Sequence, residues 1–260
     1  MYNILIASGA AVLGYLLGYL VTDNLFAGFL PALLAFVVVF ILLARRTGKQ
    51  LEALFQGAMA LLQAGKIDEA RAALAAAMPL GKWQILVAEQ IHSQMGSLDY
   101  LQGVGHTVQK HPTQAKASFA AGRAHLEKAW SRDWRAKATL AAIHHREGRP
   151  DDAVKVLEAA SGPGSGEALY WGLYTYVLNE AKRRDEALQV IGRGLAANKD
   201  NKALNELQEA LANRKRPDMK VLGESWFQMF PEDIPRERLM EMQGIKPQPR
   251  PQKTFPQPRR

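Results

Sequence analysis

The chain contains no cysteine, which excludes disulfides, thiolate metal sites and a cysteine nucleophile in one step. Charge is scarce at the start: across residues 4–44 the single charged side chain is Asp23, although 22% of the whole chain is charged. Beyond Arg46 there is almost no run of β-branched residues, so strands are not expected. Catalytic signatures are missing too. There is no HExxH, no GxSxG and no glycine-rich phosphate loop before a strand, and the carboxylates sit at helix starts rather than in a converging pair. His144 and His145 are neighbours, which turns their side chains about 100° apart on a helix and makes them poor co-ligands for one metal. No catalytic residue, metal ligand, cofactor or small-molecule substrate is therefore assigned.

What is present divides the chain between two solvents. Residues 4–21 and 25–44 are apolar runs of about 18–20 residues, and a helix of that length reaches roughly 27–30 Å, enough for the hydrocarbon core of a bilayer. Between them stand only Thr22, Asp23 and Asn24, turn formers that belong outside lipid, so residues 1–46 are predicted to form a transmembrane helical hairpin. Pro31 falls in the first turns of the second helix, where it is tolerated. Ala10, Gly14 and Gly18 form a small-residue stripe on the first helix, which serves either the hairpin's own packing or dimerisation in the membrane. Arg45, Arg46 and Lys49 follow the second span, while neither Met1, Tyr2, Asn3 nor the central turn carries a basic residue. The positive-inside rule then places both termini in the cytoplasm, with a bacterial inner membrane as the expected location. A cleaved signal peptide is the competing reading, but it lacks both its basic start and a small-x-small cleavage site.

After Arg46 the chain becomes alanine-rich with helical periodicity, and it repeats itself. GKIDEARAALAAAM (65–78), GRPDDAVKVLEAAS (148–161) and KRRDEALQVIGRGL (182–195) superimpose without gaps. Each has a turn, an acidic pair at the helix start, an alanine, a large aliphatic four residues later and a small residue three beyond. The carboxylates oppose the positive end of the helix dipole, and the small residues let a partner helix lie close. A single helix pair cannot bury its apolar face, so such units need neighbours.

These fragments resemble tetratricopeptide repeats, helix pairs of about 34 residues with small and large apolar residues at set places. The best match carries Trp171, Tyr174, Thr175 and Leu178 on a first helix and Ala187, Ile191 and Gly194 on the second. A weaker copy spans 81–112, with Ala88, Ile91, Val104 and Pro112 in place but Tyr100 and Thr107 where small residues are usual. Residues 113–133 break the register, as an inserted or a degenerate unit. A helix near 200–214 would cap the stack. The resemblance implies an all-α solenoid over 51–214, and first helices that line a groove for protein or peptide partners. Carried over by register, that groove would include Lys82, Glu89 and His92, then Arg135, His145 and Arg146, then Tyr176, Asn179 and Glu180. Its basic middle set suits an acidic ligand; the other reading of each residue is a solvated helix face.

Ser161 to Gly166 reads as a flexible linker, and Trp134, Trp171, Trp226, Tyr170 and Tyr174 as packing residues. In 215–243, the apolar stretch at 221–230 is expected to fold back on the last repeat, or else to dock elsewhere, and a short helix is expected at 236–243. Residues 244–260 form a basic, proline-rich tail predicted to be extended and disordered, without the PxxP spacing of an SH3 ligand. It carries five of the excess positive charges behind the net +8. Attraction to anionic membrane lipid is its simplest use; specific nucleic-acid recognition is not expected, because the tail offers charge without base readout.

Overall fold

The computed structural model describes residues 1–235, in which every regular element is helical. The helix expected at 236–243 and the basic tail lie outside the described residues. α1 (Tyr2–Thr22) and α2 (Phe29–Gln63) form the hairpin. Its turn is longer than Thr22 to Asn24. Asp23 closes α1 in the left-handed region (φ 51°) with its N–H donated to the Tyr19 carbonyl, and Asn24 Oδ1 then accepts from the Phe26 N–H at 2.9 Å. Pro31 explains why α2 waits until Phe29: a helix begun at residue 25 would need its missing N–H and drive its ring into a carbonyl, whereas a start at Phe29 leaves it in the first turn.

The small residues of α1 lie on the hairpin's inner face. A Cβ on Gly14 would stand 2.8 Å from the Pro31 carbonyl oxygen, and one on Gly18 would stand 2.9 Å from Gly28 Cα. Ala7 is fully buried and Ala10 partly so. The large apolar residues point outward, with Leu20, Val21 and Phe26 at least three-quarters exposed. Both helices are long and apolar enough to cross a membrane, and almost none of either apolar window is buried by the rest of the chain, the reverse of a soluble core helix.

α2 does not stop where the apolar run does. Its 35 residues, about 52 Å at 1.5 Å per residue, continue through Arg45, Arg46 and Lys49, so there is no structural break between the hairpin and the repeats that were expected to start near Leu51. Thr47 sits at this passage, donating to the Leu43 carbonyl at 3.0 Å and accepting from Asn3 Nδ2 at 3.1 Å. The Asn3 N–H reaches the Trp83 carbonyl at 3.1 Å, and the Tyr2 and Trp83 rings meet edge to face. The base of the repeats is thereby seated on the end of α1.

Antiparallel pairs follow in succession: the far half of α2 with α3 (Ile67–Ala76), α4 (Val87–Val108) with α5 (Pro112–Leu126), α6 (Trp134–Arg146) with α7 (Pro150–Ala159), and α8 (Ala168–Glu180) with α9 (Arg184–Ala197). α10 (Lys202–Ala212) closes the row against α8 and α9 through Leu204, Leu207 and Leu211. The three matching fragments are α3, α7 and all but the last residues of α9, each with the turn before it. Their alanines (Ala70, Ala153, Ala187) are fully buried, Leu74, Leu157 and Ile191 fill the seam, and a Cβ on Gly194 would stand 2.7 Å from Trp171 Cγ.

One pair differs from expectation. Residues 81–112 are not two short helices but a turn followed by the single helix α4, and the stretch from 113 is its partner α5 rather than an insertion. Gly96 lies within this helix: its absent Cβ is the space where Leu126 Cγ (2.5 Å) and the Gly122 carbonyl (3.0 Å) approach, and Gly103 makes the same room for Phe119. The glycines bring two helices together instead of ending one. Ser161 to Gly166 is likewise no free linker, since the Ser165 carbonyl accepts from Trp171 Nε1 (2.9 Å) and Asn198 Nδ2 (2.8 Å) and Gly164 packs on Tyr170.

Candidate functional site

The residues assigned to a groove do not all come together. Lys82 ends a 3-10 turn (Met78–Lys82) beside the start of α1, its carbonyl accepting from the Met1 amino group. Glu89 and His92 lie on the first half of α4, where His92 turns toward α5 and its Nδ1 stands 2.9 Å from Nδ1 of His125. Arg135 opens α6, its guanidinium 5.2 Å from the Trp134 ring centre. The other five converge. His145 and Tyr176 meet edge to face at 5.0 Å, Arg146 lies beside them, and Asn179 and Glu180 line a cleft of about 420 Å³ with Arg216 and Asp233.

This face, shared by α4, α6 and α8, is occupied by the chain itself. Residues 217–235 cross it as a 3-10 turn (Met219–Leu222), the short helix α11 (Glu224–Met229) and a last turn (Pro231–Asp233). The segment therefore reaches back past the last repeat to α4. Trp226 and Phe230 stack at 4.2 Å, and both present faces or edges to Tyr176 at 5.2 and 5.7 Å. Trp226 is 1% exposed and its indole N–H is held by Asp233 Oδ2 at 2.8 Å. Leu222 rests on α8 at Gly172, its Cδ1 2.4 Å from where a Cβ would be.

Arg146 is the polar centre. Its guanidinium lies over the rings of Tyr100 (5.5 Å) and Phe230 (5.2 Å), its Nε donates to Tyr100 Oη at 3.1 Å, and it pairs with Glu232. Tyr100 Oη in turn donates to the Met229 carbonyl at 2.8 Å. Burial pushes the Tyr100 phenol up to about 12, with Arg146 opposing, so it remains a donor at any physiological pH. Arg146 thus meets a carboxylate, and that carboxylate belongs to the chain's own C-terminal segment. Tyr100 was the residue that position-matching missed. Its misfit with a small-residue position was the available signal.

No family model matches the chain, and no curated protein matches it. Among solved structures, the chain is similar to the MamA RS-1 ArsTM double mutant at 13% identity, over 71% of this chain and 97% of that one, with a TM-score of 0.44.

A second polar cluster lies where α3, α4 and α5 meet. Asp99 is fully buried, 3.3 Å from Arg71 Nε and 4.0 Å from His125 Nε2; burial raises its pKa while Arg71 opposes. Burial also holds His92, His125, His144 and His145 below the usual histidine value, aided by nearby cations such as Lys128, Arg71, Arg149 and Arg146. The unfolded chain takes up these protons near pH 6.5 and the folded one resists them, so their stabilisation is complete above about pH 6.5 and is lost as pH falls. Asp99, with its raised value, has the opposite sign, but it is one group against four. Thermal unfolding at pH 5.5 is expected to start at a lower temperature than at pH 7.5, and His125→Gln should narrow the gap. An unchanged gap would remove the histidines as its cause.

Proposed function

We propose that the chain is a noncatalytic scaffold, anchored in a bacterial inner membrane by its N-terminal hairpin, whose tetratricopeptide-like solenoid holds protein partners at the cytoplasmic face. The observation that carries this reading is α2: one helix that is lipid-like in its first half and becomes, without interruption, the first helix of the stacked pairs. Arg45, Arg46 and Lys49 mark the passage and support a cytoplasmic repeat region. The arrangement of pairs supports protein interaction in general, because such stacks present extended surfaces on rows of equivalent helices. Five unopposed basic residues of the tail (Lys246, Arg250, Lys253, Arg259, Arg260) would add attraction to anionic lipid, about 1 kcal/mol for each residue near the surface.

Protease treatment of sealed vesicles tests the topology: repeats on the cytoplasmic side are digested only in inverted vesicles, and digestion only in right-side-out vesicles sinks the proposal. Crosslinking in intact cells then tests the partner half, with recovery of lipid but no protein counting against it. A second reading, regulation of an envelope-assembly or transport complex through the hairpin, is favoured by the same continuity of α2, which couples the spans to the first helix pair. A chain cut back to the hairpin separates the two, since a hairpin-borne regulator retains part of its effect.

A further inference from the structure

We infer that the face shared by α4, α6 and α8 is a peptide-recognition groove whose resident ligand is the chain's own segment 217–235, and that it accepts in trans a partner segment of the same chemistry: two aromatics four residues apart followed by a carboxylate. The inference rests on the scaffold reading and names the class of partner.

The contacts resemble those of a ligand more than those of another layer of the stack. The segment has no repeat pattern and is joined to α10 through residues 213–216, all exposed, while Gly223 at φ 63° turns the backbone between its two halves. Its anchors are side chains set in a row of helices: Trp226 and Phe230 against Tyr176, and Glu232 on Arg146. A main-chain group is recognised as well, since Tyr100 donates to the Met229 carbonyl. That contact depends on backbone position and not on the identity of the side chain, the usual means by which a groove captures a peptide. Gly172 gives Leu222 a place that any larger residue on α8 would fill. Charge agrees. Residues 217–235 carry Asp218, Glu224, Glu232 and Asp233 against the single base Lys220, while the groove offers Arg146 at its centre and Arg135 at its edge beside Tyr100 and Met229, with Glu180 as the acid at its other side. A competing segment must therefore supply the aromatic pair for the Tyr176 wall and the carboxylate for Arg146. A purely basic or purely aliphatic one satisfies neither.

Because the resident segment is tethered, it holds the groove at high effective concentration, and the free site is the minor state. The test uses the full chain in detergent micelles and a fluorescein-labelled peptide of residues 217–235. The Trp226→Ala/Phe230→Ala chain, with its own segment loosened, is expected to bind the peptide at least about tenfold more tightly than the native chain. A peptide carrying Glu232→Arg should lose about tenfold on that chain, and should recover when Arg146→Glu is added to it. Equal binding to native and loosened chains, or indifference to the charge exchange, overturns the inference. If the double variant loses helical content, Glu232→Arg in the full chain is the milder opener and the same comparison applies. Crosslinking of the native segment into a second copy, with no gain in peptide binding on loosening, would assign the groove to exchange between copies and overturn the partner reading. Failure here leaves the vesicle and cell experiments untouched, and a negative crosslinking result in cells leaves the peptide titration untouched.

Discussion

Gly96→Val is expected to lower the stability of the repeat region by about 3 kcal/mol, the upper part of the range for overpacking a close helix crossing. Gly96 and Gly122 are the places where α4 and α5 touch through backbone: a Cβ at Gly96 stands 3.0 Å from the Gly122 carbonyl and 2.5 Å from Leu126 Cγ, and Leu126 is fully buried with nowhere to retreat. The branched side chain also adds the helical χ1 restriction of valine. Gly192→Ala is the matched control. Gly192 is helical too, but nothing lies within 4 Å of its missing Cβ, so alanine there should stabilise by about 0.5–1 kcal/mol. Denaturant midpoints followed by helical circular dichroism measure both. Equal effects at the two glycines would refute the close crossing.

Lys49→Pro is the second large effect. A proline at this point removes the bond from residue 49 to the carbonyl four residues back and forces its ring against that carbonyl, at a cost of about 3 kcal/mol or more. Both flanks of the site are held, by Thr47 and Asn3 on one side and by buried Leu51 and Ala58 on the other, so the helix should kink there and not unravel. The absence of cysteine makes the measurement direct. Spin labels on Phe29→Cys and Gln56→Cys are about 40 Å apart along a straight helix, and the distribution should shorten and broaden in the proline variant. A narrow, unshifted distribution would show that α2 is already broken in the native chain. If the hairpin acts as a regulator, this variant should keep its anchorage and lose its regulation.

Much of the architecture was legible because it rests on local chemistry. Two apolar runs about a polar turn, and an acidic pair followed by alanine, aliphatic and small residue, are patterns within one or two helices, and they mark α1, α2, α3, α7 and α9. The α4 and α5 pair was hidden for a physical reason: a glycine has the same letter whether it ends a helix or lets another helix come near, and Gly96 does the second. The face shared by α4, α6 and α8 was legible only in part. His145, Arg146, Tyr176, Asn179 and Glu180 follow from register, yet what lies on them is decided by contacts across long separations, such as Tyr100 with Met229 and Arg146 with Glu232. No periodicity records those. The aromatic density at 221–230 showed that the segment must be buried somewhere, and a basic set on α6 showed where a carboxylate would be welcome; joining the two needed the fold.

Among the described residues the apolar interior falls into two clusters, a small one around Leu51, Leu74, Ile91 and Leu98 next to the hairpin and a large one from Tyr100 to Phe230, with α4 running through both. Opening free energies follow such divisions. The smaller cluster is bordered by the hairpin and the larger is clasped by segment 217–235, so the molecule has a natural parting line near Asp99, and thermal breathing at the hairpin end can proceed while the clasped end stays shut.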